Sequence, residues 1–207
     1  MVYLVKTPNA IKPLAADLLW SIDRTPNVVY LTFDDGPTKE ITPQILDILD
    51  QYNAKATFFC IGGNVNSNPE IYADILKRGH RTGNHTWNHM NGWEYSDLSY
   101  FKNVLQCDEV NHTSLFRPPY GRIKRSQVKG LKRRFTIVMW DVLSGDWLAS
   151  LSPEKCLDNV VKNTRSGSIV VFHDSEKAAK NMLYALPRTL KELTAKGFKF
   201  EALPEMY

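Results

Sequence analysis

The sequence predicts an α/β fold: a distorted (β/α) barrel with about seven parallel strands. Three observations predict it. Short apolar runs alternate along the chain with amphipathic helical segments, the pattern of parallel strands joined by helices. Polar, chemically useful residues fall repeatedly just after those runs, at the carboxyl ends where parallel α/β proteins keep their ligands and catalysts. Five strands carry such groups. Neighbouring strands lie ~4.8 Å apart, so an open sheet of six would scatter its ends over roughly 25 Å. A sheet that curls shut gathers them, which favours the barrel over an open doubly wound sheet.

Taken in order, Val28 to Phe33 (VVYLTF) is short, β-branched and aromatic and reads as a buried strand, ended by Gly36-Pro37. Residues 41–52 read as a helix with Thr42 as N-cap, Pro43 at N1 and Ile45, Ile48, Leu49 and Tyr52 on one face. Strand 55–61 follows, then a helix over 68–79 closed by Gly79 in the C′ position. Strand 80–84 leads into His85. The pattern continues as helix 95–110, strand 114–117, helix 124–134 and strand 135–140. A helix over 151–163 starts at Ser152-Pro153, strand 167–172 precedes a helix over 182–197 that tolerates Pro187, and 198–203 is the last strand. No repeat or low-complexity tract interrupts the series.

Composition narrows the function classes. With 207 residues, 43% hydrophobic and 23% charged, the chain suits one globular domain, residues 28–207, with residues 1–27 as an N-terminal extension packing on it. The formal charge of +4 is modest, and the densest basic run, Lys129 to Phe135, reads as a solvated helix face, so no nucleic-acid partner is expected. Cys60, Cys107 and Cys156 form no C-x-x-C pair and indicate neither a zinc knuckle nor a disulfide framework. No run reaches the ~18 apolar residues of a membrane span. The apolar patch Leu14 to Trp20 is interrupted by Asp17 and preceded by Pro13, which spoils a signal peptide's core, so the sequence as given predicts a cytoplasmic location.

The chemistry lies in the polar punctuation. Asp34 and Asp35 stand side by side at the mouth of a buried strand, where they repel each other and lose solvation. His85 and His89 (HTWNH) stand four apart, so on a helical turn both imidazoles face one way, a spacing common among metal ligands. Two imidazoles and one carboxylate suit a divalent transition metal with open positions. A cation ligated by one aspartate offsets the penalty on the pair and leaves the other acid beside the metal's water. His80 and His112 lie outside these motifs and are expected to face solvent.

The motifs TFDDGP (Thr32 to Pro37), HTWNH (His85 to His89), RPPYG (Arg117 to Gly121), GDW (Gly145 to Trp147) and IVVFHD (Ile169 to Asp174) stand in the order shown by NodB-homology polysaccharide deacetylases, carbohydrate esterase family four. The resemblance spans about residues 28 to 203. It implies a metal-dependent hydrolase that removes N-acetyl groups from an amino-sugar polymer or oligomer, with zinc as the expected cofactor and cobalt, nickel or manganese as alternatives. It implies Asp35, His85 and His89 as metal ligands, Asp34 as general base and His173 as general acid. By the same resemblance Asp146 orients that histidine, Arg117 holds the base, and the Tyr120 backbone N–H stabilises the oxyanion. Trp147 and Val171 are expected to wall the acetyl group, with Trp87 and Pro119 also facing substrate. Trp93 is a second sugar-stacking expectation, while Trp140 is expected in the core. Leu143 stands where many members carry another acid, and VVFH replaces a Leu-rich version. Such enzymes usually act at or outside the cell envelope, in conflict with the N-terminal reading. Rival readings are an O-acetyl esterase on xylan-like glycans, an amidase on a small cyclic amide, and an iron oxygenase with the same ligand triad. The last has no need of an extra base and an opposed histidine acid.

Overall fold

Strand β1 (Val28–Asp34) is buried along its whole length and forms the spine of the sheet. The computed structural model describes residues 4–22 and 26–205; residues 1–3 and 23–25 of the expected extension, and residues 206–207, lie outside the described residues. Around β1 stand β2 (Ala56–Cys60), β3 (Arg81–Asn84), β4 (Leu115–Phe116), β5 (Thr136–Ile137), β6 (Val142–Leu143), β7 (Ile169–His173) and β8 (Lys199–Phe200). The order is β5-β4-β3-β2-β1-β7-β6, with β8 paired to the start of β1, and every named pair is parallel.

The two-residue period of the strands separates two cores. Val29, Leu31 and Phe33 of β1, Ala56, Phe58 and Cys60 of β2, and Val170 and Phe172 of β7 point outward into a core shared with the helices. Phe33 stacks between Phe58 and Phe172 there, with ring centroids at 5.0 and 6.0 Å. Val28 and Tyr30, with Phe59, Leu115, Val138 and Ile169, form a second core inside the curl. The same period carries Thr32 and Asp34 of β1 and His173 of β7 toward the inside, above that plug. An apolar floor under a polar rim is the consequence.

Helices α1 (Thr42–Gln51), α2 (Gly62–Ser67), α3 (Pro69–Lys77), α4 (Asp97–Asn111), α5 (Arg125–Leu131), α6 (Pro153–Val161) and α7 (Glu176–Ala195) cover the outside. Each longer one buries a stripe; in α7 this is Ala178, Met182, Ala185, Leu186, Leu190 and Leu193. Pro187 sits inside α7 without ending it.

Strands β5 and β6 are the two ends of the path, yet only residues 138–141 separate them, so the ends stand within roughly 18 Å. The sheet therefore curls. Its seam is bridged by the segment before β1: Leu19 pairs with Val138, and Lys6 with Val142. Backbone bonds fasten it, Leu19 N–H to Ile137 O at 2.8 Å and Leu143 N–H to Val5 O at 2.8 Å.

Several local expectations are corrected. The predicted strand over 135–140 is two short strands, β5 and β6, because residues 138–141 turn to meet the N-terminal segment. Helix α2 was not expected: its sequence GGNVNS has little helical propensity. It forms because the Gly62 and Gly63 N–H groups donate to the Thr86 and Trp87 carbonyls, each at 2.9 Å. Thr42 is the first residue of α1, not its N-cap, and its hydroxyl turns to Asp174 at 2.7 Å. Helix α7 begins six residues earlier than expected, at Glu176. His80 is buried, its Nδ1 accepting the Ala56 N–H at 3.2 Å, and burial lowers its pKa to about 4. All three cysteines are free and buried.

Candidate active site

Asp34 ends β1 and Asp35 follows it with a left-handed φ of 87°, so the two carboxylates leave the chain in different directions. Asp35 meets two imidazoles. Its Oδ1 lies 3.3 Å from His89 Nε2 and 3.8 Å from His85 Nε2, and one ligand atom from each of the three residues falls within 4.8 Å of the others. That Oδ1 is buried and accepts no hydrogen bond. A buried carboxylate oxygen without a donor is costly unless a cation completes it.

The histidines are oriented from behind. His85 Nδ1 lies 2.7 Å from the Arg117 carbonyl, which only accepts, so Nδ1 carries the proton and Nε2 presents its lone pair to Asp35. His89 Nδ1 lies 3.0 Å from the Tyr120 hydroxyl. Burial lowers the pKa of both rings, that of His89 to about 4 with His85 adding to the shift, so both are neutral at ordinary pH, the form in which an imidazole can ligate. Two imidazoles and a carboxylate facing one point fit a divalent transition metal.

The expected helical turn does not align the histidines. Residues 85–89 form a non-helical turn with left-handed φ values at Thr86 (65°) and His89 (59°). Side chains hold it: Asn84 Oδ1 accepts the Thr86 N–H, Asn103 Oδ1 accepts the Trp87 N–H, and Thr86 Oγ1 accepts the Met90 N–H, each at 2.9 Å.

Asp34 points away to Arg117, which follows β4 and is fully buried. Nη1 donates to Asp34 Oδ1 and to Thr32 Oγ1, both at 2.7 Å; Nη2 and Nε donate to the Met139 and Val138 carbonyls. The guanidinium also lies over the Phe59 ring at 4.1 Å. Burial alone would raise the Asp34 pKa, but the Arg117 charge, the His85 and His173 rings and the Arg117 hydrogen bond together outweigh it and hold the carboxyl below its ordinary value.

Across the rim, His173 ends β7 as the register partner of Asp34. Asp146 takes the His173 ring Nδ1–H on Oδ1 and its backbone N–H on Oδ2, both at 2.7 Å. Burial opposes the charged ring, yet Asp146, with Asp35 and Asp34 nearby, lifts its pKa to about 9. The Trp147 ring lies edge-on to the imidazole at 5.0 Å.

A cleft of about 720 Å³ joins these groups. Asp34, Asp35, His85, His89, Tyr120, Trp147, Val171 and His173 line it, and Leu143 lies beside Val171. Tyr120 has φ 61° within a 3-10 turn, Pro119–Gly121, closed by Gly121 and Arg122 N–H groups donating to the Pro118 and Pro119 carbonyls. Its own N–H is a donor that the turn does not use. Pro119 and Trp87 are not among the lining residues: Pro119 is buried beneath the turn while Pro118 faces the cleft, and Trp87 packs against Gly62 of α2. Trp93 lies outside too, exposed beside Arg122 at 5.3 Å. Trp140, expected in the core, lines the cleft together with Trp20.

Asp174 is a participant the motif reading left without a role. Fully buried after β7, it accepts the Gly36 N–H at 2.8 Å and the Thr42 hydroxyl at 2.7 Å, and so ties down the loop that carries Asp35. Burial raises its pKa to about 7 against those two donors. A Cβ on Gly36 would fall 1.8 Å from Asp174 Oδ2, so only glycine allows this approach. A carboxylate directly following the strand-end histidine was the available signal.

Known proteins are similar to this chain along most of its length. Residues 21–134 match the family model described as polysaccharide deacetylase. A peptidoglycan-N-acetylglucosamine deacetylase of Bacillus cereus is 37% identical over 195 residues, 90% of this chain and 91% of that protein. The peptidoglycan-N-acetylglucosamine deacetylase PgdA of Listeria monocytogenes is 32% identical over 89% of this chain and 40% of its own length. Among solved structures, the Bc1960 peptidoglycan N-acetylglucosamine deacetylase in complex with 4-naphthalen-1-yl-N-oxidanyl-benzamide superposes with a TM-score of 0.88 at 33% identity, covering 97% of each chain.

Proposed function

The chain belongs to the polysaccharide deacetylase family, metal-dependent hydrolases of acetylated glycans, and on that premise we propose that it removes N-acetyl groups from the N-acetylglucosamine units of peptidoglycan. The observation that carries the reading is the convergence of three separate devices on one cleft. These are the Asp35–His85–His89 triad, an aspartate held ionised by Arg117, and a histidine held protonated by Asp146. A deacetylase needs all three. We propose zinc as the metal, since two nitrogens and one oxygen suit it well.

A divalent cation in the triad supplies a more acidic water and a polarised acetyl carbonyl. The chain's own residues do the rest. Asp34, ionised because Arg117 faces it, accepts the proton of the attacking water at its carboxylate. The Tyr120 backbone N–H, which the turn leaves unused, donates to the carbonyl oxygen as it becomes an oxyanion. His173, protonated on both nitrogens, keeps Nδ1–H on Asp146 and gives its Nε2 proton to the departing amine. Trp147, Val171 and Leu143 form an apolar wall of the cleft for the acetyl methyl group. Base and acid titrate in opposite directions, the separation that lets one site run both proton transfers.

The substrate preference follows the named relatives, and a peptidoglycan substrate places the work at the cell envelope. The test is acetate release from peptidoglycan fragments, acetylated chito-oligosaccharides and acetylated xylan, with and without chelator. Release from the amino sugars, lost to chelation and restored by zinc, is expected. Release from xylan alone would replace the reading with an O-acetyl esterase.

A further inference from the structure

Asp146 gives both carboxylate oxygens to His173, so its own placement decides where that ring stands. The backbone around it is only loosely fixed from within. Gly145 turns the chain with φ 81°, and the Asp146 N–H reaches Ser144 Oγ at 3.3 Å, a long bond. Leu148 N–H closes the turn on Gly145 O at 3.0 Å.

Two helices outside the sheet hold the carbonyls of this loop. Asn159 of α6 donates its side-chain amide to Ser144 O at 2.9 Å. Asn181 of α7 donates to Asp146 O and to Leu148 O, both at 3.2 Å. Both asparagines are buried. A carbonyl can only accept, so the NH₂ group of Asn181 must face the loop, and its Oδ1 is left buried with no donor.

The helix gains nothing from that residue. Asparagine is a weak helix former, and an unpaired buried amide oxygen destabilises a fold. The buried stripe of α7 around Asn181 includes Ala178, Met182 and Ala185, and an apolar side chain there would pack without an orphaned oxygen. Closing the loop does not explain the choice either, because Leu148 O already accepts the Leu151 N–H at 2.9 Å. What the amide adds is a fixed Asp146. Its carbonyl is drawn outward to α7 while its side chain reaches inward to His173.

Resting on the deacetylase reading, we propose that Asn181 is a positioning residue for the acid, assisted by Asn159: it fixes the Asp146 backbone and, through the Asp146 carboxylate, aims the His173 ring at the leaving amine.

The His173 Nδ1 proton reports this directly. Held on a carboxylate oxygen at 2.7 Å, it gives a proton resonance far downfield, identified by its loss in His173→Ala. Zinc-supplied wild type, Asn181→Leu and Asn181→Ala are compared by this resonance, by melting temperature, and by kcat and KM for acetate release from an acetylated chito-oligosaccharide. Asn181→Leu keeps the branching of the side chain and removes both the donors and the unpaired oxygen, so its melting temperature stays close to that of wild type. Asn181→Ala is the smaller alternative should leucine not fit. In a folded variant the resonance moves upfield or is lost to solvent exchange. At the same time kcat falls by about tenfold with KM unchanged, within the ~10²-fold that a displaced group can cost. A folded variant in which either the resonance or kcat matches wild type overturns the proposal. Loss of the fold in both variants overturns it too, since Asn181 would then be structural. Should wild type release no acetate, the deacetylase reading falls separately, and the resonance alone decides whether Asn181 places Asp146.

Discussion

Asp34 and Asp35 show how adjacent identical residues acquire different work. The left-handed turn at Asp35 sends one carboxylate to the histidines, while Arg117 captures the other. Asp34→Asn should therefore lower turnover by about 10²–10⁴-fold while metal content, measured on the same preparation, stays near one ion per chain. An active, metal-loaded variant would remove Asp34 as the base. As the proposed acid, His173 sets the alkaline limb. Its folded pKa of about 9 means that activity falls as pH rises through that value, when the acid loses its proton. Asp146→Asn should move that limb down toward the ordinary histidine value, read from kcat against pH. The sign for stability is the same: the raised pKa contributes stability below about 6.5 that is lost as pH rises through about 9. Their positions could be read in the sequence because they lie just after apolar runs and His173 is one of only five histidines, while the roles of Asp146 and His173 rested on the family motifs. Trp87 was not placed correctly, since proximity in sequence to His85 says nothing of the α2 packing that takes its ring away.

The strand-end loops hold the Asp35–His85–His89 triad together through one another at the scale of elements. Helix α2 uses the Thr86 and Trp87 carbonyls as its N-terminal partners, and the 85–89 turn leans on Asn84 of β3 and Asn103 of α4. Asp174 after β7 ties the 35–38 loop to α1. Asp174→Ala is thus expected to weaken zinc binding by about 10–100-fold, the usual effect of losing a group that orients a ligand, measured by competition with a chelating dye. Unchanged zinc affinity would show that the loop keeps Asp35 in place without it. The strand and helix series was readable because its periodicities are strong. Helix α2 and the split of β5 from β6 were not, because partners distant in sequence create them: residues 86 and 87 for one, the N-terminal segment for the other.

The molecule as a whole is a curled parallel sheet whose seam is bridged by the residues that precede β1. Asp141 is the main anchor of that bridge. Its carboxyl is buried, which alone would raise the pKa, but Lys12, Lys6 and Ser168 hold it below its ordinary value. Such a group contributes stability above the ordinary carboxylate range, lost as pH falls through the depressed value. Asp141→Ala leaves two lysines without their acid and should lower the melting temperature at pH 7 by roughly ten degrees. The difference from wild type should shrink in acid. A melting temperature unchanged at pH 7 would show that the backbone ladder alone fastens the segment. An extension over residues 1–27 was the sequence expectation, but that Thr7, Pro8, Ile11 and Trp20 reach the cleft was not legible, since no local pattern records which distant edge a segment covers. Among the described residues no helix is long and apolar enough to cross a membrane.

One cation shared by Asp35, His85 and His89, with Asp34 left unligated, is what the proposed chemistry requires above all. Anomalous diffraction from crystals grown with zinc addresses this directly. The predicted result is a single peak about 2.0–2.2 Å from an Asp35 oxygen and from Nε2 of both histidines, with Asp34 still on Arg117. A peak bound by Asp34, or one that misses either histidine, would contradict it.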